Sequence, residues 1–416
     1  MAAACARCAS GRSRPVQHDY ALDGGGMPIG PTIRPSDSPG GIIPLHPESL
    51  TPSASLNRVR IVDLPGIALE ESIRGKTAYD LLAARTLAGD VRRHADALGL
   101  GALRAAPDTI LLPAFARCFT ADAAPVRSAA DSIARRFGRS LGLLVLTLKR
   151  GDAINRRARP DWDDTYWDHW AGIGTIWLGG GLANGSLGAC IQHHAAVTIT
   201  DDEEHACVLQ LAAHPSLLPL IGAARGVPSG GGAALAFDFG QSAVKRALAL
   251  YGGGALVALH LLPSLPAPAT FSAGGDDLTF DLVRDLADRM VAVMVDTWRG
   301  VASPGRALAP LLVASIAGYS VDGQPLPRQG GPYSQLHRLS DNAAQWLAYQ
   351  VSQRIGRPLD VALIHDGTAA ARTYAGAGHA AVIMMGTTLG VGFVPADGAR
   401  RPVAPNLVVR GWGGHE

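Results

Sequence analysis

The sequence predicts an α/β protein, and three observations carry that prediction. Short apolar runs alternate with longer stretches of helical period. Most of those runs end on Gly, Asp or Thr, the residues of strand-to-helix and strand-to-strand turns. The composition, 47% hydrophobic and 17% charged over 416 residues, is that of a globular chain with ample core-forming sequence.

The elements follow in order. Residues 1–57 are rich in turn formers, such as Asp23-Gly24-Gly25-Gly26 and Ser36-Asp37-Ser38-Pro39, so structure is expected from about residue 58. The period over 68–149 is helical, with Ile133, Phe137, Leu141, Leu144 and Leu148 on one stripe of a helix spanning 129–148. The Trp- and Asp-rich segment 160–170 reads as a surface loop. A strand over 174–178 runs into Gly179-Gly180-Gly181, and helices are expected over 203–212 and 216–226. A buried strand over 233–240 then meets two strands, 244–251 and 256–262, joined by Gly252-Gly253-Gly254. A helix over 280–298, a strand over 308–316 and a helix ending at Ile355 before Gly356 come next. Strands over 361–364 and 380–385 follow. The expected division is 58–232 and 233–416.

Charge and cysteines exclude several classes. The formal net charge is +2, which points to no nucleic-acid or acidic-membrane partner. Five scattered cysteines form no disulfide framework, and Cys5-x-x-Cys8 has no second half for a zinc site. Residues 247–275 carry no formal charge, but glycines and prolines break them, so strand–turn–strand is a better reading than a membrane helix. No signal-peptide pattern opens the chain, and the cytoplasm is the expected compartment. Lysine is scarce, at Lys76, Lys149 and Lys245 alone.

Chemistry concentrates at strand ends. In Asp238-Phe239-Gly240-Gln241-Ser242-Ala243-Val244-Lys245, a strand enters a turn bearing a carboxylate, a hydroxyl and an amine. Gly240 lets backbone approach a phosphate. Ser242 and neighbouring amides can hold phosphates, and Asp238 can orient a Mg²⁺ hydration shell. In His365-Asp366-Gly367-Thr368, a carboxylate follows an apolar strand and opens a helix, where either a general base or a helix cap belongs. Gly386-Thr387-Thr388 with Gly390 and Gly392 offers backbone N–H groups to a phosphate or forms a plain hairpin. Gly179–Gly181 permits a base or ribose to lie on the backbone, or a close packing turn.

Together these segments resemble the acetate and sugar kinase, heat-shock ATPase and actin superfamily. Asp238–Lys245 is similar to its first phosphate motif, Gly386–Gly392 to its second, and Gly179–Gly181 to its adenosine motif. His365–Ala371 resembles the glucokinase-like segment with the catalytic Asp. The nearest branch is the bacterial ROK group of sugar kinases and sugar-responsive repressors, and the likeness spans about residue 60 to the end. The resemblance implies a two-lobed ribonuclease-H-like ATPase fold, with actin- and hexokinase-like duplicated α/β domains. The motif order is rotated, and joining residue 416 to about residue 58 restores it, so a circular permutation is implied.

The resemblance further implies ATP and Mg²⁺, with Asp366 as general base toward a sugar hydroxyl. Asp238, Gly240, Gln241, Ser242, Lys245, Gly386, Thr387, Thr388, Gly179, Gly180 and Gly181 are implied on the nucleotide, with Mg²⁺ held through water by Asp238. Asn342, His365, Trp412 and His415 are implied on the substrate. Several positions depart from the family pattern. His365 replaces an Asn, Thr388 a Gly, Trp412 a Glu and Ala317 a Pro, and the zinc loop is absent. These departures keep two alternatives open, a sugar or nucleotide sensor without turnover and an ATPase with a non-sugar substrate. The expected partner is a small sugar-like molecule, and a homodimer is allowed. The repressors' helix-turn-helix has no counterpart in the Pro/Gly-rich first 57 residues.

Overall fold

The computed structural model describes residues 46–200, 202–228, 232–267, 278–302, 307–327, 331–396, 398 and 400–413. The chain divides into Met1–Ile43, which lies outside the described residues, and Pro44–Glu416. Cys5 and Cys8 belong to the first unit, so they lie outside the description with most of the segment expected to be unstructured.

Packed structure begins before residue 58. Leu50, Ala54 and Leu56 are buried. Asn57 Nδ2 donates to the Leu389 carbonyl at 2.7 Å, and its Oδ1 accepts the Leu389 amide at 2.9 Å. Glu48 accepts from Arg372 Nε at 2.9 Å. Short 3₁₀ turns at Pro52–Ala54 and Leu56–Arg58 use turn-forming residues that show no helical or strand period.

The first half is largely helical. Strand β1 (Arg60–Ile61) pairs antiparallel with β2 (Lys76–Thr77). Thr77 and Asp80 form a capping box on α1 (Ala78–Leu82). Helices α2 (Ala84–Arg93), α3 (Asp108–Arg117) and the long α4 (Ala124–Arg150) follow. Gly151, at φ 53°, ends α4 in the left-handed conformation.

The Trp/Asp segment is core rather than surface loop. After α5 (Ala153–Arg157) it forms α6 (Asp164–Gly172), capped by Asp163. Trp162, Tyr166, Trp167 and Trp170 fall on one buried face, while Asp161, Asp164 and Asp168 face solvent. The aromatic face closes over Arg159, whose Nη2 donates to the Ser53 and Ser55 carbonyls at 2.7 and 2.9 Å. The mixture of Trp and Asp is therefore an amphipathic helix turn, in which the charges mark one face only.

Strand β3 (Thr175–Gly179) leads to α7 (Gly185–Thr200). Helix α7 has no polar face to reveal it in the sequence. It lies against α4, where a Cβ on Gly138 or Gly142 would come within 2.7 Å of the Ile191 or Ala195 carbonyl oxygen. The helix expected over 203–212 is instead a 3₁₀ turn (Glu203–His205) and strand β4 (Val208–Leu211), which pairs parallel with β3. Sheet pairing overrides the local preference there. Helix α8 (Leu218–Arg225) matches its expected place.

The second half carries most of the strands. A meander of β5 (Ala233–Phe239), β6 (Ala243–Gly252) and β7 (Ala255–Pro266) precedes α9 (Phe280–Val301) and β8 (Leu308–Ile316). β9 (Ser320–Val321) and β10 (Gln324–Pro325) form a tight hairpin on Asp322 and Gly323, both at positive φ. Then come α10 (Ala343–Ile355), β11 (Asp360–His365), α11 (Asp366–Arg372), β12 (Ala380–Met385), β13 (Leu389–Phe393) and β14 (Val403–Gly411).

These strands make two main sheets. One has the order β11-β8-β5-β6-β7-β14 and the other β13-β12-β3-β4. Each contains an antiparallel hairpin (β5–β6, β12–β13) whose first strand is flanked on its other side by two parallel strands (β8 and β11, β3 and β4). One core packs α9 and α10 on the six-stranded sheet, and another packs α4, α6 and α7 on the four-stranded one. Helices α8 and α11 cross between them so closely that a Cβ on Gly222 would sit 1.6 Å from the Ala369 carbonyl oxygen. Among the described residues no helix is long and apolar enough to cross a membrane.

Candidate active site

The site lies where parallel strands end. β5, β8 and β11 run in register, so Asp238, Ser315 and Ile364 share one level and Phe239, Ile316 and His365 the next. Carboxyl ends of adjacent parallel strands are where open α/β sheets collect ligands. Two strand spacings separate β5 from β11, about 10 Å. Asp238 and Asp366 therefore stand on either side of the end of β8, and both line the same cleft.

Asp238 is 4% exposed. Its Oδ1 accepts from Ser315 Oγ at 3.1 Å, and its Oδ2 pairs with Lys245 Nζ at 3.0 Å. The hairpin sets this pairing, because Asp238 and Lys245 stand opposite each other in the β5–β6 ladder. A buried carboxylate requires such partners. Tyr333 reaches under the turn, and its hydroxyl donates to the Gly240 carbonyl at 3.4 Å. Burial pushes the Tyr333 phenol up, and the Asp238 charge adds to the shift.

Asp366 is the first residue of α11 and not its cap. The cap is His365, whose Nδ1 accepts the Thr368 amide at 3.2 Å. Asp366 Oδ1 accepts the Gly367 amide at 2.7 Å and lies 3.2 Å from His365 Nε2. The Tyr319 ring stacks on the imidazole, with centroids 4.3 Å apart.

The opposite wall is backbone. Gly386-Thr387-Thr388 joins β12 to β13, and Gly386 leaves open space where a side chain would be, its nearest neighbour being the Thr388 carbonyl at 3.8 Å. Gly180, at φ 88°, presses on Met385 so tightly that a Cβ would lie 2.3 Å from its carbonyl oxygen. Gly179 is similarly closed by Met384 and Leu218, whereas Gly181 borders open space. The parallel pairing of β12 with β3 brings the two glycine turns side by side, with Met384 opposite Gly179.

One cleft of about 150 Å³ collects these groups. Gly180, Gly181, Asp238, Gly240, Gln241, Ser242 and Lys245 line it, as do His365, Asp366, Gly386, Thr387 and Thr388. Gly179 lies behind this wall rather than in it. Two substrate residues expected from the sequence, Asn342 and Trp412, are not in the lining. Asn342 is the cap of α10, its Oδ1 accepting the Gln345 amide at 2.9 Å. Trp412 follows β14 at the edge of the six-stranded sheet, with its amide on the Leu261 carbonyl at 2.8 Å and its ring near His260. His415 lies outside the described residues.

Sequence reasoning missed Ser315, Tyr319 and Tyr333. Ser315 had a signal, a lone hydroxyl inside the apolar run of β8. The tyrosines had none, because only folding brings them beneath Gly240 and against His365.

No cluster of three or more His, Cys, Asp or Glu among the described residues can hold an ion by itself. Magnesium needs few carboxylates when phosphates and waters complete its octahedron, and the cleft presents two carboxylates, Asp238 and Asp366. No protein-family model matches this sequence, and no curated protein matches it.

Proposed function

We propose that the chain binds ATP in this cleft and transfers its terminal phosphoryl group to a sugar-like hydroxyl. The observation that supports this most is convergence. Segments at 180–181, 238–245, 365–366 and 386–388, distant in the chain, line one cleft from opposite sides. The topology supports a two-lobed ribonuclease-H-like ATPase fold in rotated order. β3 and β4 precede β12 in the chain, yet they flank it as β8 and β11 flank β5. That is the relation expected if a duplicated α/β unit had been cut open elsewhere. One strand departs from a simple duplication, since β14 joins β7 instead of β13.

In this reading the turn at 386–388 and the Gln241 and Ser242 amides hold the phosphates, the Gly240 amide being engaged by the Ala243 carbonyl at 3.1 Å. Lys245, paired with Asp238 and lining the same cleft, supplies a positive charge for them. Asp238 would hold a magnesium ion through water, and that ion would supply charge neutralisation on the phosphate oxygens. Asp366 accepts the proton of the attacking hydroxyl, and catalysis otherwise rests on positioning.

A second reading is binding without turnover. It is favoured by two observations: the cleft lining lacks Asn342 and Trp412, and the His365 nitrogens face Thr368 and Asp366. ADP release over a panel of hexoses, amino sugars and polyols separates the readings. Sugar-dependent release supports the kinase, and release indifferent to every sugar supports an ATPase with another acceptor. Nucleotide binding without release supports the sensor. A chain that binds no nucleotide loses all three. Asp366→Asn is expected to cut turnover by about 10²- to 10⁴-fold while ATP still binds; near-normal turnover removes Asp366 as the base.

A further inference from the structure

We propose that His365 is a positioning residue, a neutral imidazole that aims the Asp366 carboxylate through its Nε2–H. The proposal rests on the reading of Asp366 as the base, and it assigns His365 a role other than substrate binding.

The tautomer follows from the helix start. The Thr368 amide can only donate, and it points at Nδ1 from 3.2 Å. Thr368 Oγ1 stands at the same distance from that nitrogen. Nδ1 is therefore the acceptor, and the single proton of the neutral ring sits on Nε2. Nε2 lies 3.2 Å from Asp366 Oδ1. The ring cannot turn away without losing its cap on α11, and the stacked Tyr319 ring restrains it on one face. With 4% exposure, His365 has little surface left for a substrate. The Gly367 amide and His365 Nε2 converge on Oδ1, which fixes the carboxylate plane while Asp366 remains a cleft-lining residue. Orientation of this kind matters because misplacing a reacting group by about 1 Å costs on the order of 100-fold in rate.

Two substitutions separate capping from aiming. Asparagine places its amide near the Nδ1 position, so His365→Asn keeps a helix cap but cannot reach Asp366. Glutamine places a donor near the Nε2 position, so His365→Gln keeps the contact to Asp366 and weakens the cap. Under the proposal, His365→Asn retains the melting temperature and the KM values within about twofold but loses kcat about 100-fold. His365→Gln recovers much of that kcat despite a lower melting temperature. A His365→Asn variant that raises the sugar KM and spares kcat overturns the proposal, because it makes His365 a substrate contact.

A second measurement needs no turnover. Imidazole ¹⁵N spectra of the whole chain should show His365 neutral with its proton on Nε2, and Asp366→Asn should move that resonance. A proton on Nδ1, or a signal indifferent to Asp366→Asn, overturns the proposal even if the protein is an active kinase. The expected spectrum with no phosphoryl transfer would retain the His365–Asp366 geometry and discard the kinase reading.

Discussion

The two walls of the cleft are built by opposite means. The wall from the six-stranded sheet is made of side chains: Asp238 and His365 stand at adjacent levels because β5, β8 and β11 run in register, Lys245 stands opposite Asp238 in the β5–β6 hairpin, and Asp366 follows His365 at the start of α11. The wall from the four-stranded sheet contributes hardly any charge and consists mainly of backbone at Gly180–Gly181 and Gly386–Thr388. The difference teaches that a small cleft can gather its charge on one side only. The other side needs chain with nothing attached, and glycine supplies it at a cost in backbone entropy.

The comparison can be broken most severely at Gly180. Its φ of 88° and the 2.3 Å that a Cβ would have from Met385 O leave no room for a side chain. Gly180→Val is expected to destabilise the fold by about 3 kcal/mol or more, and thermal melting checks it. A variant that melts like the parent would show the backbone wall to be pliable. On the charged wall, Lys245→Met leaves the Asp238 carboxylate buried without its cation. The expected loss is about 2 kcal/mol, with weaker nucleotide binding. Asp238→Asn in the same background should restore stability but not binding, and urea unfolding beside nucleotide titration measures both. Ser315→Ala removes one hydrogen bond to Asp238 and should cost about 1 kcal/mol. Behind the backbone wall, Asn57→Ala deletes both bonds to Leu389 and should cost a similar 1–2 kcal/mol. No change on its removal would mean that the segment before residue 58 does not brace β13.

Legibility in the sequence followed the same division. The strands β5, β6, β7, β8, β11 and β12 were readable because each is an apolar run closed by a turn residue. Their ends therefore marked Asp238, Asp366 and Gly386 as candidates. Helix α6 was misread because Trp and Asp alternate around it, and β4 because four residues carry too little period to oppose a helical preference. Asn342 and Trp412 were placed on the substrate by likeness alone. The structure uses Asn342 as a helix cap and Trp412 at a sheet edge.

By itself the sequence determined the α/β class and the strand ends that bear carboxylates and glycines, since both are local properties of residue type and spacing. Only the tertiary structure decided that those ends share one cleft and that His365 turns inward to Asp366. It also decided that Gly180 rests on Met385. Each of those depends on strand register and helix crossing between segments far apart in the chain, and no local pattern encodes them.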